Sequence, residues 1–140
     1  MSNYKTFGKF HTWLYRASGG LLLGSVGLGR KILLLNTVGR KSGEARTTPL
    51  VYMPDGERFV VYGSNGGRET PPAWFLNLQA NPRASVEIGR RKIPVSMHVA
   101  TGEEEARLHP LAHAYNPHWK GYQEKATRRI PLVVLDPSQD

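Results

Sequence analysis

The chain has no cysteine, no acidic residue in its first 43 positions and no long apolar run. The missing cysteine excludes disulfides, thiol nucleophiles and thiolate metal sites, and gives no reason to place the protein in an oxidising compartment. Carboxylates are absent before Glu44, whereas Lys5, Lys9, Arg16, Arg30, Lys31, Arg40 and Lys41 precede it. The formal net charge is +8. A field of one sign attracts anions: phosphate groups, polyanionic cofactors, nucleic acid or an acidic membrane face. The most apolar stretch, residues 21–29, is rich in glycine and closed by Arg30 and Lys31. It is about half the ~20 residues that a membrane-spanning helix needs. No small-x-small cleavage site follows it cleanly, so a cytoplasmic protein is expected rather than a secreted one. The 140 residues are enough for one domain with a real core and too few for two.

Residues 3–17 have Tyr4, Phe7, Phe10 and Leu14 at helical spacing with Lys5, Lys9 and Arg16 between them. This predicts an amphipathic helix, either packed on the rest of the domain or lying on a membrane surface. Gly19-Gly20 ends it, and a glycine-rich linker follows, which divides the chain into an arm (residues 1–30) and a main domain (residues 31–140). From Ile32 the pattern becomes that of strands. Six are predicted, over residues 32–37, 46–53, 58–63, 84–88, 92–99 and 130–135. Pro49 interrupts the second strand and points to an edge or a bulge. Pro54-Asp55-Gly56-Glu57 and Gly89 supply hairpin turns. Residues 64–67 read as a flexible loop. Thr70 is a candidate N-cap with Pro71 as first helical residue, opening a short helix with Trp74, Phe75 and Leu78 on one face. Thr101-Gly102-Glu103-Glu104 has capping-box spacing and starts a second helix, which Pro110 is expected to kink or end. Six short strands in hairpin pairs with two inserted helices point to a small antiparallel barrel, mainly β within an α+β chain, rather than a βαβ sheet.

His109 and His113 are four apart, with His118 nearby. That spacing can place two metal ligands on one helix face, but Pro110 weakens the geometry and no carboxylate supplies a third ligand in the same turn. Solvated histidines and no metal are expected. Serines and histidines are too scattered to propose a hydrolytic triad. The turn at residues 39–43 is more informative. Glycines at both ends let the backbone approach a ligand closely, while Arg40, Lys41 and Ser42 supply charge and a hydroxyl. Such a turn suits a phosphate, and an ordinary exposed basic turn looks the same in sequence. The Ser64-Asn65-Gly66-Gly67 segment is similar in kind, so two such loops at strand ends suggest a ligand cleft.

Several segments together resemble the deazaflavin-dependent nitroreductase family, mostly mycobacterial split β-barrel proteins that use coenzyme F-420. They are Asn36-Thr37-Val38-Gly39-Arg40-Lys41-Ser42-Gly43, Arg46-Thr47-Thr48-Pro49-Leu50, residues 64–67, Pro72-Ala73-Trp74-Phe75-Leu76-Asn77-Leu78, Ala80-Asn81-Pro82 and Arg129-Ile130-Pro131-Leu132-Val133-Val134-Leu135. The resemblance spans nearly the whole chain. It implies a six-stranded split barrel of the FMN-binding type, and hydride transfer from the reduced deazaflavin to a quinone or another activated unsaturated acceptor. It also implies that Arg40, Lys41, Ser42 and Arg46 hold the coenzyme's phosphate and glutamate tail. Thr48, Pro49 and Val51 would line the ring, and Ser64, Asn65, Gly66 and Gly67 would face its other edge. Trp74 and Asn77 would support the site, with Tyr115, Trp119 and Tyr122 as an aromatic wall beside the substrate. Asn65 stands where the family often has lysine, and Trp119 where a nitro-reducing member has tyrosine. An indole offers no phenolic proton, so quinone reduction with little nitroimidazole reduction is expected.

Three other readings use the same residues. FMN also presents a phosphate, so a flavin-using split barrel is one. A barrel that binds the deazaflavin without turnover is another. Binding to single-stranded nucleic acid is the third, but Trp74, Tyr115, Trp119 and Tyr122 fall in helical or loop segments rather than on strand faces, so no nucleic acid is expected.

Overall fold

A computed structural model describes residues 30–138. The amphipathic helix over residues 3–17 and the glycine-rich linker therefore lie outside the described residues. Among those described, six antiparallel strands close a barrel in the order β1-β2-β3-β6-β5-β4. They are β1 (Lys31–Val38), β2 (Ala45–Asp55), β3 (Arg58–Tyr62), β4 (Arg83–Ile88), β5 (Arg91–Val99) and β6 (Leu132–Pro137). Three helices, α1 (Ala73–Ala80), α2 (Gly102–Tyr115) and α3 (Pro117–Lys125), join them. No helix among the described residues is long and apolar enough to cross a membrane.

The alternation of side chains along a strand explains why two cores form. Leu33, Leu35, Val61, Val86, Val95, Val133 and Leu135 point into the barrel, and Trp74, Phe75 and Leu78 of α1 pack against them. The intervening residues Val60, Tyr62, Leu132 and Val134 face outward and meet Leu108, Ala112 and Trp119 of the α2–α3 pair. Both faces of β3 and β6 are thus covered, so these strands read as unbroken apolar runs rather than alternating ones. Each fully buried Leu or Val adds about 1.5–3 kcal/mol of transfer free energy.

The barrel is uneven around β2. This strand pairs with β1 from Ala45 to Tyr52, but with β3 only from Met53 to Asp55. Its first half therefore has a single ladder partner, and Pro49 sits in that half, in agreement with the edge expected from its missing N–H. At the other end of β2, an ion network around Asp55 fastens the first turn of α2 to the strands. Arg58 pairs with Asp55, with Glu104 at 2.7 Å and with Asp136 at 3.8 Å. His98 lies 2.8 Å from both Glu104 and Asp136, and Arg107 lies 2.9 Å from Asp55. Hydrogen bonds from Arg107 and then Arg58 hold the Asp55 carboxyl well below the usual carboxylate range.

Four local expectations need correction. First, α1 begins at Ala73 with Pro72 at the cap, not at Thr70. Pro71 precedes another proline, which pushes it out of the helical region, and Pro72 itself is extended (φ −68°, ψ 152°). Second, Pro110 does not end α2, which runs on to Tyr115; its ring lies on an exposed face. Third, Thr101 does cap α2, but its side chain makes no capping bond. Gly102 has a left-handed φ of 58°, and the Glu104 carboxylate is drawn to Arg58 and His98 instead. Fourth, Pro54 belongs to β2, opposite Phe59, so the first hairpin turn is Gly56-Glu57 alone.

Candidate functional site

The basic turn is built on glycine. The Gly39 amide donates to the Glu44 carbonyl at 2.8 Å, and the Gly43 amide donates back to Gly39 at 2.8 Å. A Cβ at Gly39 would sit 2.7 Å from Ser42 Oγ and 3.3 Å from the Glu44 carbonyl oxygen, so only glycine closes this turn without displacement. Arg40, Lys41, Ser42 and Arg46 are all exposed. Arg46 is steered by Ser42 Oγ at 3.2 Å and Glu44 Oε2 at 3.1 Å. Both partners of that ion pair are open to solvent, with side chains 45% and 72% exposed. It therefore contributes little stability and leaves Arg46 available to a competing anion.

A buried amide anchors the turn from behind. Asn77 Oδ1 accepts hydrogen bonds from the Arg40 backbone amide and from Arg40 Nη1, both at 3.1 Å. Asn77 Nδ2 donates to Thr37 Oγ1 at 3.3 Å. Asn77 and Thr37 are both buried, so the cost of desolvating their polar groups is offset only by these bonds. Trp74, one turn earlier on α1, is buried beside Phe75 with its ring at 6.2 Å and perpendicular. The structure thus brings Arg40, Asn77 and Trp74 onto one connected element. Thr37 carries no signal of its own in the sequence beyond lying two residues before Gly39.

From this turn β2 runs through Thr48, Pro49 and Val51, all half-buried, along its singly paired half. By extension of the register, β3 stops at Tyr62 level with Val51, and residues 64–67 follow directly. The expected flexible loop is instead a 3-10 turn (Asn65–Gly67). Ser64 and Gly67 are buried. Gly67 has φ of 83°, and a Cβ there would lie 3.0 Å from the Tyr122 carbonyl oxygen. Arg128 donates to the carbonyls of Gly63 and Ser64 at 3.0 Å and of Arg68 at 2.8 Å. This backbone is fastened on several sides, so its low side-chain volume reflects close packing rather than mobility.

The three aromatic residues do not share one setting. Tyr115 and Tyr122 are half-buried, while Trp119 is only 5% exposed, within the core between barrel and helices. The Trp119 ring lies 5.5 Å from Tyr62 and 6.3 Å from Tyr115. The Tyr115 hydroxyl accepts from the Lys31 amide at 2.9 Å. Tyr62, which periodicity marks only as core, carries a polar cluster: its hydroxyl lies 3.2 Å from His113 Nε2 and donates to Gln123 Oε1 at 3.3 Å. Burial pushes the Tyr62 hydroxyl up to about 12. Burial, reinforced by His109, lowers His113. His113 is therefore not a solvated histidine; its ring packs on Tyr62 and lies 4.3 Å from that of His109. Among the described residues, no three His, Asp or Glu side chains are placed to hold a metal ion.

Shallow depressions of about 420 and 230 Å³ lie elsewhere, around Glu105 and Arg129 at the start of α2. Arg129 and Glu105 already neutralise one another there. Neither depression is lined by the basic turn or by β2, and the charged side chains of the turn stand in solvent.

Known proteins resemble this chain in sequence and in fold. The F420H(2)-dependent quinone reductase family model matches residues 7–137. An F420H(2)-dependent quinone reductase of Mycobacterium tuberculosis is 32% identical over 133 residues, which are 91% of this chain and 87% of that protein. A solved F420-H2-dependent reductase superposes with a TM-score of 0.68 at 33% identity, over 75% of this chain and 93% of the other. A second solved structure, described as a domain-swapped dimer, superposes with a TM-score of 0.70 at 30% identity, over 90% and 98% of the two chains. The family model over residues 7–137 and the relative 32% identical over 91% of this chain place the chain in the F420H(2)-dependent quinone reductase family.

Proposed function

We propose that this protein transfers a hydride from reduced coenzyme F-420 to a quinone or a similar activated unsaturated acceptor. The observation that carries the reading is the turn at residues 39–46. Arg40, Lys41, Ser42 and Arg46 stand in solvent at the start of β2 and in the turn before it, while Asn77 holds the Arg40 backbone from the buried side. The residues present fit a polyanionic coenzyme: three cations and a hydroxyl on a backbone so tight that a Cβ at Gly39 would collide with Ser42. Arg40, Lys41, Ser42 and Arg46 would hold the phosphate and glutamate tail through charge-assisted hydrogen bonds. Thr48, Pro49 and Val51 would line the ring, with Ser64, Asn65, Gly66 and Gly67 at its other edge.

The reduced deazaflavin, when bound, supplies the hydride. The chain's own work is to bind, orient and exclude water. Tyr115 and Tyr122 border the acceptor, and Trp119 acts from behind them by filling the core on which both pack. An indole at position 119 gives no phenolic proton, which supports quinone reduction with little nitroimidazole reduction.

Titration of F-420 and of FMN into the protein and into Arg40→Ala/Lys41→Ala tests the reading. F-420 should bind more tightly than FMN because its tail adds carboxylates. The double substitution should weaken it by about ten-fold or more, since charged hydrogen bonds contribute ~1.5–3 kcal/mol each before screening. Equal affinity for the two cofactors, unmoved by the double substitution, overturns it.

A further inference from the structure

We propose that Arg128, held in place by Glu69, is a positioning residue that sets the 64–67 turn for the coenzyme. The proposal rests on the reading of that turn as one edge of the coenzyme site. Arg128 Nε donates to the Arg68 carbonyl at 2.8 Å, and Nη2 donates to the carbonyls of Gly63 and Ser64 at 3.0 Å each. These three acceptors lie at the two ends of the turn. One planar guanidinium therefore fixes both where the chain enters and where it leaves. Its rigid fork suits this task; a lysine, a single charge on a flexible stem, cannot span both ends at once.

Glu69 supplies the other half of the clasp. Its carboxylate accepts from the Thr127 amide and the Thr127 hydroxyl, both at 2.7 Å, and from the Arg128 amide at 3.3 Å. These bonds, from the Thr127 side chain and backbone first, lower the Glu69 carboxyl below its ordinary range. Neither charged group is directed at the other's charge in these bonds. Glu69 holds the backbone that presents Arg128, and Arg128 holds the backbone that follows β3 and leads to Glu69. The arrangement closes on itself across 58–65 residues of sequence.

The rest of the turn is pressed from the same side. The Gly63 amide donates to the Pro131 carbonyl at 3.0 Å, and Gly67 lies against the Tyr122 backbone. With three carbonyls drawn toward Arg128, the orientation of the peptides between them is set by a residue outside the turn. Asn65 turns through the left-handed region at φ of 47°, which asparagine tolerates better than most side chains. Its side chain is engaged as well, donating to the Thr70 carbonyl at 2.8 Å. A displacement of about 1 Å in such a supporting element is enough to cost up to a hundred-fold in a site's performance.

The test uses the full chain with Arg128→Met, Arg128→Lys and Glu69→Gln. F-420 affinity is measured by fluorescence titration, together with kcat, the KM for reduced F-420 and for menadione, and Tm. Arg128→Met should weaken F-420 binding by about ten-fold or more and raise the coenzyme KM in step, with the menadione KM within about two-fold. Arg128→Lys should fall between it and the unmodified chain. Glu69→Gln should weaken binding by a few-fold. Should Arg128→Met fail to fold, the other two decide. A fall in Tm with unchanged coenzyme affinity, in any folded variant of Arg128, makes the clasp merely structural and overturns the proposal. Arg40→Ala/Lys41→Ala is run alongside. If it weakens F-420 binding and the Arg128 variants do not, the clasp fails while the coenzyme site stands. If neither set moves the affinity, the coenzyme site itself fails.

Discussion

Residues 39–43 and 64–67 are both short glycine-containing turns that follow a strand, and in sequence they invite the same description. In the folded chain they are held by opposite means. The basic turn presents its charged side chains to solvent and is tied from inside, by the neutral, buried amide of Asn77. The second turn buries Ser64 and Gly67 and is tied at its two ends by the Arg128 guanidinium, whose own backbone Glu69 holds. A turn that must grip an anion with side chains needs those side chains free, so its anchor must engage the backbone from below. A turn that offers mainly backbone has nothing to leave free and can be fixed at both ends.

The largest effect that separates the two is expected at Asn77. Asn77→Leu keeps the branched shape but removes the acceptor of the Arg40 amide and the donor to Thr37. It should lower stability by about 1–3 kcal/mol and weaken F-420 binding, read by thermal melting and titration; the Gly66 and Gly67 amide resonances should not move. A shift at those resonances as large as at Arg40 would mean that the two turns are coupled and the contrast is false.

A smaller difference is expected between two left-handed glycines. Gly43 has φ of 72° with nothing near its missing Cβ, whereas Gly67 has φ of 83° with the Tyr122 backbone at 3.0 Å. Gly43→Ala should cost about 1 kcal/mol, from backbone conformation alone. Gly67→Ala adds displacement of α3 and should cost about 2–3 kcal/mol. Equal losses by denaturant unfolding would show that the second turn yields as easily as the first.

The smallest is a dependence on pH. The Glu69 carboxyl is lowered in the folded chain by its bonds from Thr127 and Arg128. A depressed carboxyl stabilises above its ordinary range and loses that contribution as pH falls through the folded value. Below about pH 4.5, the ordinary value, the Gly66 and Gly67 amide resonances should therefore begin to shift, and those of residues 39–43 should not follow the same titration. Glu69→Gln should abolish this step. Its persistence in that variant would assign the titration to another group.

Much of the architecture is legible in the order of the amino acids. The six strands and the hairpin glycines Gly56 and Gly89 follow from short runs rich in apolar and β-branched residues and from turn chemistry, which act between near neighbours. The cations of the basic turn are contiguous, so their common purpose is written in adjacent letters. The start of α1 is harder to place, because two prolines in succession override a good cap at Thr70. The polar cluster of Tyr62, His113 and Gln123 leaves no local trace, since its members are 51 and 61 residues apart and Tyr62 reads as an ordinary core position.

The sequence by itself determined the barrel, the excess of positive charge and the chemistry of the turn that would meet an anion, because each depends on composition or on contacts within a few residues. Only the tertiary structure decided that Trp119 is buried while Tyr115 and Tyr122 are only half covered, and that Arg128 reaches back to Gly63 and Ser64. Those facts depend on which distant backbone groups meet when the barrel closes. A buried carbonyl or amide must find a partner wherever the fold places one, and no local pattern records where that is.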